Sequence, residues 1–310
     1  MFNVFIDGRE GTTGLQIYER LAKRGDINLI TIPEELRKDV SARKERLNAA
    51  DICFLCLPDA AARESVSLIE NPSVRVIDAS TAHRTADGWV YGLPELSSER
   101  REAVARSPRV ANPGCHATGF ITLVAPLVKG GILGAGYPLT AHSVTGYSGG
   151  GKKMIAEYEA EGRSVLLSSP RQYSLSLSHK HLPEMVKECA LSHAPIFNPI
   201  VGDFYCGMCV TVPLYKSLLL KKMGADDIRN YFAEYYASQN FVKVAKKEEI
   251  PAYLPANELA GTNLLKIYVS GNDDMILMCS VFDNLGKGAS GAAVQNMNIM
   301  LGLDETFSLV

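Results

Sequence analysis

Phe2-Asn3-Val4-Phe5-Ile6-Asp7-Gly8-Arg9-Glu10-Gly11-Thr12-Thr13-Gly14 runs from a short apolar segment through a glycine turn into a helical pattern. Gly8, Gly11 and Gly14 stand three apart, and glycine lets backbone approach a pyrophosphate whose charge the amides of the next helix neutralise. These glycines, with Thr12 and Thr13 at the helix start, are the candidate dinucleotide contacts. Leu15, Tyr18, Leu21 and Ala22 are expected on its inward face. Apolar runs at 27–32, 52–57 and 74–78 alternate with helical patterns such as 60–69. That rhythm predicts a doubly wound parallel sheet of the Rossmann type.

The tip of the second strand helps choose between NAD and NADP, because an acid there binds ribose hydroxyls and a base accepts the extra phosphate. Glu34 and Glu35 follow that strand, yet Arg37, Lys38, Arg43 and Lys44 come soon after. The residues alone leave the preference open.

The chain has 310 residues, 46% hydrophobic and 21% charged, with 32 basic against 34 acidic side chains. Such a balance argues against a nucleic-acid or polyanion surface. The beginning of the chain lacks a basic leader with an apolar run, and no stretch is apolar enough to span a bilayer, so no membrane partner and a cytoplasmic location are expected. Seven scattered cysteines do not resemble a secreted disulfide framework. Two CxxC spacings, Cys53 with Cys56 and Cys206 with Cys209, fall in segments read as strand, 52–57 and 204–212. Residues three apart on a strand face opposite ways, so no metal site is expected there.

One cysteine is placed differently. Asn112-Pro113-Gly114-Cys115-His116-Ala117-Thr118-Gly119 sets Cys115 on a turn that enters a helix. First-turn amides and the helix dipole favour an anion, so a thiol there ionises more readily, as an acyl-accepting nucleophile requires. Beyond it the pattern changes to long strands at 139–144, 204–215, 264–269 and 275–282, a helix at 224–236 and a last helix ending near 301. These predict a second α+β domain with a mixed, mainly antiparallel sheet. The expected division is 1–114 with 284–310 for the nucleotide domain and 115–283 for the other.

Ser178-His179-Lys180-His181-Leu182-Pro183-Glu184 is the second chemical candidate. In an extended chain both histidines face one side with Glu184 near, and a thiol nucleophile needs a partner of near-neutral pKa. Either ring fits that description. Arg84 closes Asp78-Ala79-Ser80-Thr81-Ala82-His83-Arg84 past a strand's carboxyl end, where ligands of open α/β sheets gather; it is a candidate to hold a phosphate. Ser80 and Asn112 stand at similar strand ends, as candidates for nicotinamide or substrate contact. Tyr147, Ser148 and Gly149, in the glycine-rich run after 139–144, are candidates to line an acyl pocket.

Taken in order, IDGREGTTGLQI (6–17), CLPDAAARE (56–64), DASTAHR (78–84), YGLPEL (91–96), NPGCHATG (112–119), GYSGGGKK (146–153), HKHLPE (179–184) and DNLGKGASGAAVQNMN (283–298) resemble the shorter class of N-acetyl-γ-glutamyl-phosphate reductases. The wider superfamily includes aspartate-semialdehyde dehydrogenase. The resemblance implies NADPH-dependent reduction of an acyl phosphate to an aldehyde with release of inorganic phosphate, through a thioester on Cys115. It implies His181 as acid/base with His179 in reserve, and Asn284, Gly286, Lys287 and Gly288 near the cofactor. It also implies a homodimer or homotetramer. An aspartyl-phosphate-reducing relative and a non-catalytic nicotinamide sensor are the alternatives.

Overall fold

The computed structural model describes residues 1–309 and divides into two compact units, Met1–Pro113 with the segment from Ala289 onward, and Gly114–Gly288. The first holds a six-stranded sheet of β1 (Phe2–Asp7), β2 (Ile27–Ile30), β3 (Ile52–Leu55), β4 (Arg75–Asp78), β5 (Val90–Tyr91) and β6 (Arg109–Ala111). Its order is β2-β1-β3-β4-β6-β5 and every pairing is parallel. Helices α1 (Thr12–Leu21), α2 (Val40–Ala49), α3 (Asp59–Ser67) and α4 (Ser98–Arg106) connect the strands. All of β3 is buried, as a central parallel strand covered on both faces must be. The expected second, third and fourth strands are present but one or two residues shorter; β5 and β6 were too short to leave a periodic signal.

The inward face of α1 differs from expectation. Gly14, Ile17 and Leu21 are buried, whereas Leu15 and Ala22 are exposed. The helix starts at Thr12 and takes its phase from Gly14, where a β-carbon would lie 2.5 Å from the Gly8 carbonyl oxygen, so this turn of helix must face the loop.

The second unit begins with α5 (Cys115–Lys129), then β7 (Thr140–Gly146), α6 (Gly151–Glu159), β8 (Arg171–Gln172), α7 (Leu182–Glu188), β9 (Ile196–Gly202) and β10 (Met208–Tyr215). It continues through α8 (Ala225–Tyr235), β11 (Val242–Val244), β12 (Leu265–Gly271) and β13 (Met275–Phe282). The strand order is β11-β12-β13-β10-β7-β9-β8, with β11–β12 and β7–β9 parallel and the other pairs antiparallel. The strand expected from 204 begins at Met208, so Cys206 lies outside it; Cys56 likewise stands just past β3. Burial, reinforced by Asp78 and Asp7, pushes the Cys56 thiol up to about 12. Six residues expected with the nucleotide domain, Gly114 and Asn284–Gly288, belong to the second unit. The Asn284 carboxamide accepts from Gly207 N at 2.8 Å and donates to Ser148 Oγ at 3.0 Å, which ties the segment there. The last helix, α9 (Gly291–Met300), returns to the first unit. No described helix is long and apolar enough to cross a membrane.

Helix α5 is buried on nearly every side, so its backbone must be satisfied internally. Pro126 lies inside it and has no N–H for the Thr122 carbonyl one turn back. The Tyr236 hydroxyl supplies the missing donor at 2.8 Å. Tyr236→Phe is therefore expected to lower stability by about 1–3 kcal/mol, the cost of an orphaned buried acceptor. Adding Pro126→Ala to that variant restores an N–H and should recover most of the loss in urea unfolding. Equal losses in the single and double variants would rule this account out.

Candidate functional site

In the first unit the glycine turn is built as the spacing predicted. Gly8 has φ +88°, and a β-carbon there would lie 2.4 Å from the Cys56 carbonyl oxygen, so only glycine keeps β1 and β3 this close at their carboxyl ends. Gly11 caps α1, donating its amide to Gly8 O at 3.0 Å, and leaves the first-turn amides of Thr12 and Thr13 at the helix N-terminus. A cavity of about 410 Å³ opens beside this turn, lined among others by Asp7, Gly8, Gly11, Glu34, Arg37 and Lys38. The four bases after β2 divide. Arg43 is committed to a buried network, with Nη2 on Asp7 at 3.1 Å, Nη1 on Glu64 at 2.6 Å and a further bond to Ser65 Oγ. Lys44 pairs with Glu70. Arg37 and Lys38 remain at the cavity, and Glu34 forms an exposed ion pair with Arg37 at 2.5 Å. The residues present thus fit a dinucleotide bearing an extra phosphate.

The Asp78–Arg84 segment is a pinned turn. Buried Asp78 accepts from Ser80 N at 2.9 Å and Ser80 Oγ at 2.7 Å, and its carboxylate meets His83 Nδ1 at 2.6 Å. The His83 ring stacks on Trp89 at 4.1 Å. Arg84 donates from Nε to Asn112 O and from Nη2 to Ala79 O, both at 3.0 Å, and so ties the ends of β4 and β6 together. The Asn112 side chain is 1% exposed, donating to Ala289 O and accepting from Asn296. Both Arg84 and Asn112 therefore fix the carboxyl end of β6.

In the second unit Cys115 is the first residue of α5, with Gly114 as N-cap. The Gly114 amide donates to the buried Glu184 carboxylate at 3.1 Å, which joins α5 to α7. His181 is the N-cap of α7, and its ring lies 4.7 Å from that of His179, edge to face. The two histidines meet across a turn, because the helix opens at Leu182 and the chain is already curled there. Gly288 abuts Cys115; a β-carbon on it would lie 2.9 Å from Cys115 Cβ. Gly286 packs on the Thr262 carbonyl, and Lys287 is wholly buried. Tyr147 stacks on Tyr158 at 4.6 Å, Ser148 is buried under Asn284, and Gly149 is exposed.

Residue reasoning missed His116. Its ring lies 5.3 Å from His179 and 5.6 Å from His181, and its nitrogens meet Ser143 Oγ and Tyr173 Oη, each at 2.6 Å. The only signal was its place beside Cys115; Tyr173 and Ser143 carry none. Burial, then the fields of His179 and Lys180, push His116 down to about 3.

Two family models match the chain, the semialdehyde dehydrogenase NAD binding domain over residues 28–104 and the semialdehyde dehydrogenase dimerisation domain over residues 115–284. N-acetyl-gamma-glutamyl-phosphate reductase of Mesorhizobium japonicum is 50% identical over 97% of this chain and 99% of that protein. The protein named N-acetyl-gamma-glutamyl-phosphate reductase 2 in Pseudomonas putida is 48% identical over 96% of each, and its namesake in Nostoc sp. 46% over 99% and 98%. Among solved structures, aspartate semialdehyde dehydrogenase II of Vibrio cholerae superposes with a TM-score of 0.72 at 16% identity, covering 97% of this chain and 99% of that one; the likeness is one of fold.

The His116 environment sets an acid dependence. A free histidine takes up a proton below about pH 6.5. Folded His116 does not until about pH 3, so its contribution is whole above the first value and is lost as pH falls towards the second. The stability gap between the parent and His116→Gln should shrink by on the order of 2 kcal/mol from about pH 7 to about pH 4.5 in urea titrations. A constant gap would mean that the ring is not held neutral.

Proposed function

Because the chain belongs to the N-acetyl-γ-glutamyl-phosphate reductases of the semialdehyde dehydrogenase family, we propose that it converts N-acetyl-glutamyl 5-phosphate and NADPH to N-acetylglutamate 5-semialdehyde, NADP and inorganic phosphate, a step of arginine biosynthesis. The observation that carries the reading is Cys115 at the head of α5, in the unit where His116, His179 and His181 cluster. The helix terminus favours the thiolate, which attacks the acyl carbon and forms a thioester as phosphate leaves. NADPH, when bound, supplies the hydride that brings this thioester to the aldehyde level. His181 takes the thiol proton and later moves the proton of the hemithioacetal hydroxyl as the C–S bond breaks, with His179 beside it as the alternative. Glu184 holds the Gly114 amide and so keeps the two helices in register.

Gly8, Gly11, Thr12, Thr13 and Gly14 hold the pyrophosphate, and Arg37 with Lys38 takes the 2′-phosphate. Glu34 serves this arrangement by orienting Arg37 rather than by binding ribose. In the first unit Ser80 is assigned to the nicotinamide and Arg84 and Asn112 to the phosphate; in the second, Asn284, Gly286, Lys287 and Gly288 are assigned to the nicotinamide and Tyr147, Ser148 and Gly149 to the acyl group. The first unit thus serves the nucleotide and the second the thiol chemistry and self-association into a homo-oligomer in the cytoplasm.

The deciding experiment follows nicotinamide reduction with N-acetylglutamate semialdehyde, with and without phosphate, using NADP and then NAD. Phosphate-dependent reduction is expected; activity only with aspartate semialdehyde would overturn the substrate. Cys115→Ser should abolish turnover while NADPH affinity stays within about twofold, and His181→Asn should remove the neutral limb of the pH profile. If His179→Asn does so instead, the two histidines exchange roles. Arg37→Ala with Lys38→Ala should weaken 2′,5′-ADP binding by about 10- to 100-fold and leave 5′-AMP binding unchanged, since only the former carries the phosphate these bases pair with.

A further inference from the structure

The loop between β8 and α7 bends back through two residues with positive φ, Ser174 at 54° and Leu177 at 56°. A bulky residue seldom adopts that conformation unless its surroundings hold it there. What this loop carries inward is Tyr173, whose hydroxyl lies 2.6 Å from His116 Nε2, while the loop's Leu175 and Leu177 stay exposed. On the far side of the imidazole, His116 Nδ1 meets Ser143 Oγ at 2.6 Å, and Ser143 on β7 is wholly buried. Three groups from β7, α5 and the loop thus form one chain, built on the residue that follows Cys115 in α5. Burial raises the Tyr173 ionisation, and the charge of Cys115 raises it further, so the phenol stays protonated and lies within the field of the sulfur.

A neutral imidazole donates from one nitrogen and accepts at the other. In the tautomer that accepts from Ser143 O–H at Nδ1, Nε2–H donates to the Tyr173 oxygen. The hydrogen of the phenol is then left for negative charge developing beside Cys115. The opposite tautomer would lock that hydrogen on Nε2, which makes the two arrangements functionally distinguishable.

We infer that Tyr173 donates a hydrogen bond to the oxyanion formed when the Cys115 sulfur adds to an acyl carbon, and that His116 and Ser143 are the residues that position it. The interaction deepens the acyl-transfer reading of the same site and rests on it only in taking Cys115 as the nucleophile. No proton is transferred; the O–H bond remains whole while the oxygen of the adduct gains and then loses its charge. Such a donor acts on the adduct more than on the ground state, where the carbonyl oxygen is nearly neutral.

The test compares two reactions of the intact enzyme at Cys115 that need neither nicotinamide nor the natural substrate. p-Nitrophenyl acetate acylates the thiol through an oxyanion, whereas iodoacetamide alkylates it by displacement and forms none. Tyr173→Phe keeps the ring and is expected to slow acylation about 100-fold, the effect of removing one oxyanion donor, while alkylation stays within about threefold. His116→Gln is expected to slow acylation less than Tyr173→Phe, and the double variant to lose little beyond Tyr173→Phe alone, because both act through one hydroxyl. Acylation of Tyr173→Phe within about threefold of the parent would overturn the inference, as would equal loss of acylation and alkylation, or a parent enzyme that the ester does not acylate at Cys115. A parent that acylates normally yet shows no phosphate-dependent oxidation of N-acetylglutamate semialdehyde would instead sink the substrate assignment and leave Tyr173 in place.

Discussion

The hydrogen bond from the Gly114 amide to the Glu184 carboxylate sets the geometry of the second unit's chemistry. Gly114 is the residue before the thiol and Glu184 stands in the first turn of α7, which His181 caps. One buried contact between two helix termini therefore ties the start of α5, which carries the proposed nucleophile Cys115, to the start of α7, which carries the proposed proton carrier His181. Both helix ends need partners for amides that no turn of helix satisfies, and a carboxylate is the strongest acceptor available to them. The same side chain serves a helix end and, in the proposed mechanism, the placing of the thiol, which gives a carboxyl group a reason to be almost wholly buried.

A comparable economy governs the nucleotide unit. Asp7, at the end of β1, is 5% exposed and bound by Arg43 and Ser65. Burying a carboxylate without partners would cost several kcal/mol, roughly, so Arg43 must stay with it and is removed from the set of bases open to a phosphate. Lys44 is drawn off to Glu70. What remains for the cofactor is decided by these prior commitments, and of the four bases after β2 the two left, Arg37 and Lys38, line the cavity just past the short 3₁₀ turn at Glu34–Leu36.

The parallel sheet, the glycine turn and the thiol at the head of α5 were legible because each depends on local spacing: apolar runs of strand length, glycines three apart, a cysteine after Pro113-Gly114. The helix phase of α1 was not, since it is set by contact of Gly14 with the Gly8 carbonyl rather than by the apolar pattern of Leu15 and Tyr18. β5 and β6, of two and three residues, fall below the length at which alternation has meaning. Tyr173 and Ser143 reach His116 from 57 and 27 residues away, and a contact made by tertiary packing leaves no periodic trace. His116 was in plain view beside Cys115, but its neutrality follows from burial that only the folded chain reveals.

That neutrality bears on how three histidines share one site. Rings within 4.7 to 5.6 Å of one another cannot all carry charge without strong mutual repulsion. The cluster resolves the conflict by keeping the most buried ring neutral: burial, then the fields of His179 and Lys180, push His116 down to about 3, and its two hydroxyl partners can supply the neutral ring with one donor and one acceptor. His116 is so withdrawn from proton traffic and becomes a fixed spacer. In the proposed mechanism the protonation change falls to the pair on the α7 side, His179 and His181. A single-site substitution that recharged His116 would therefore act on the pair through repulsion, altering the proton carrier without touching it.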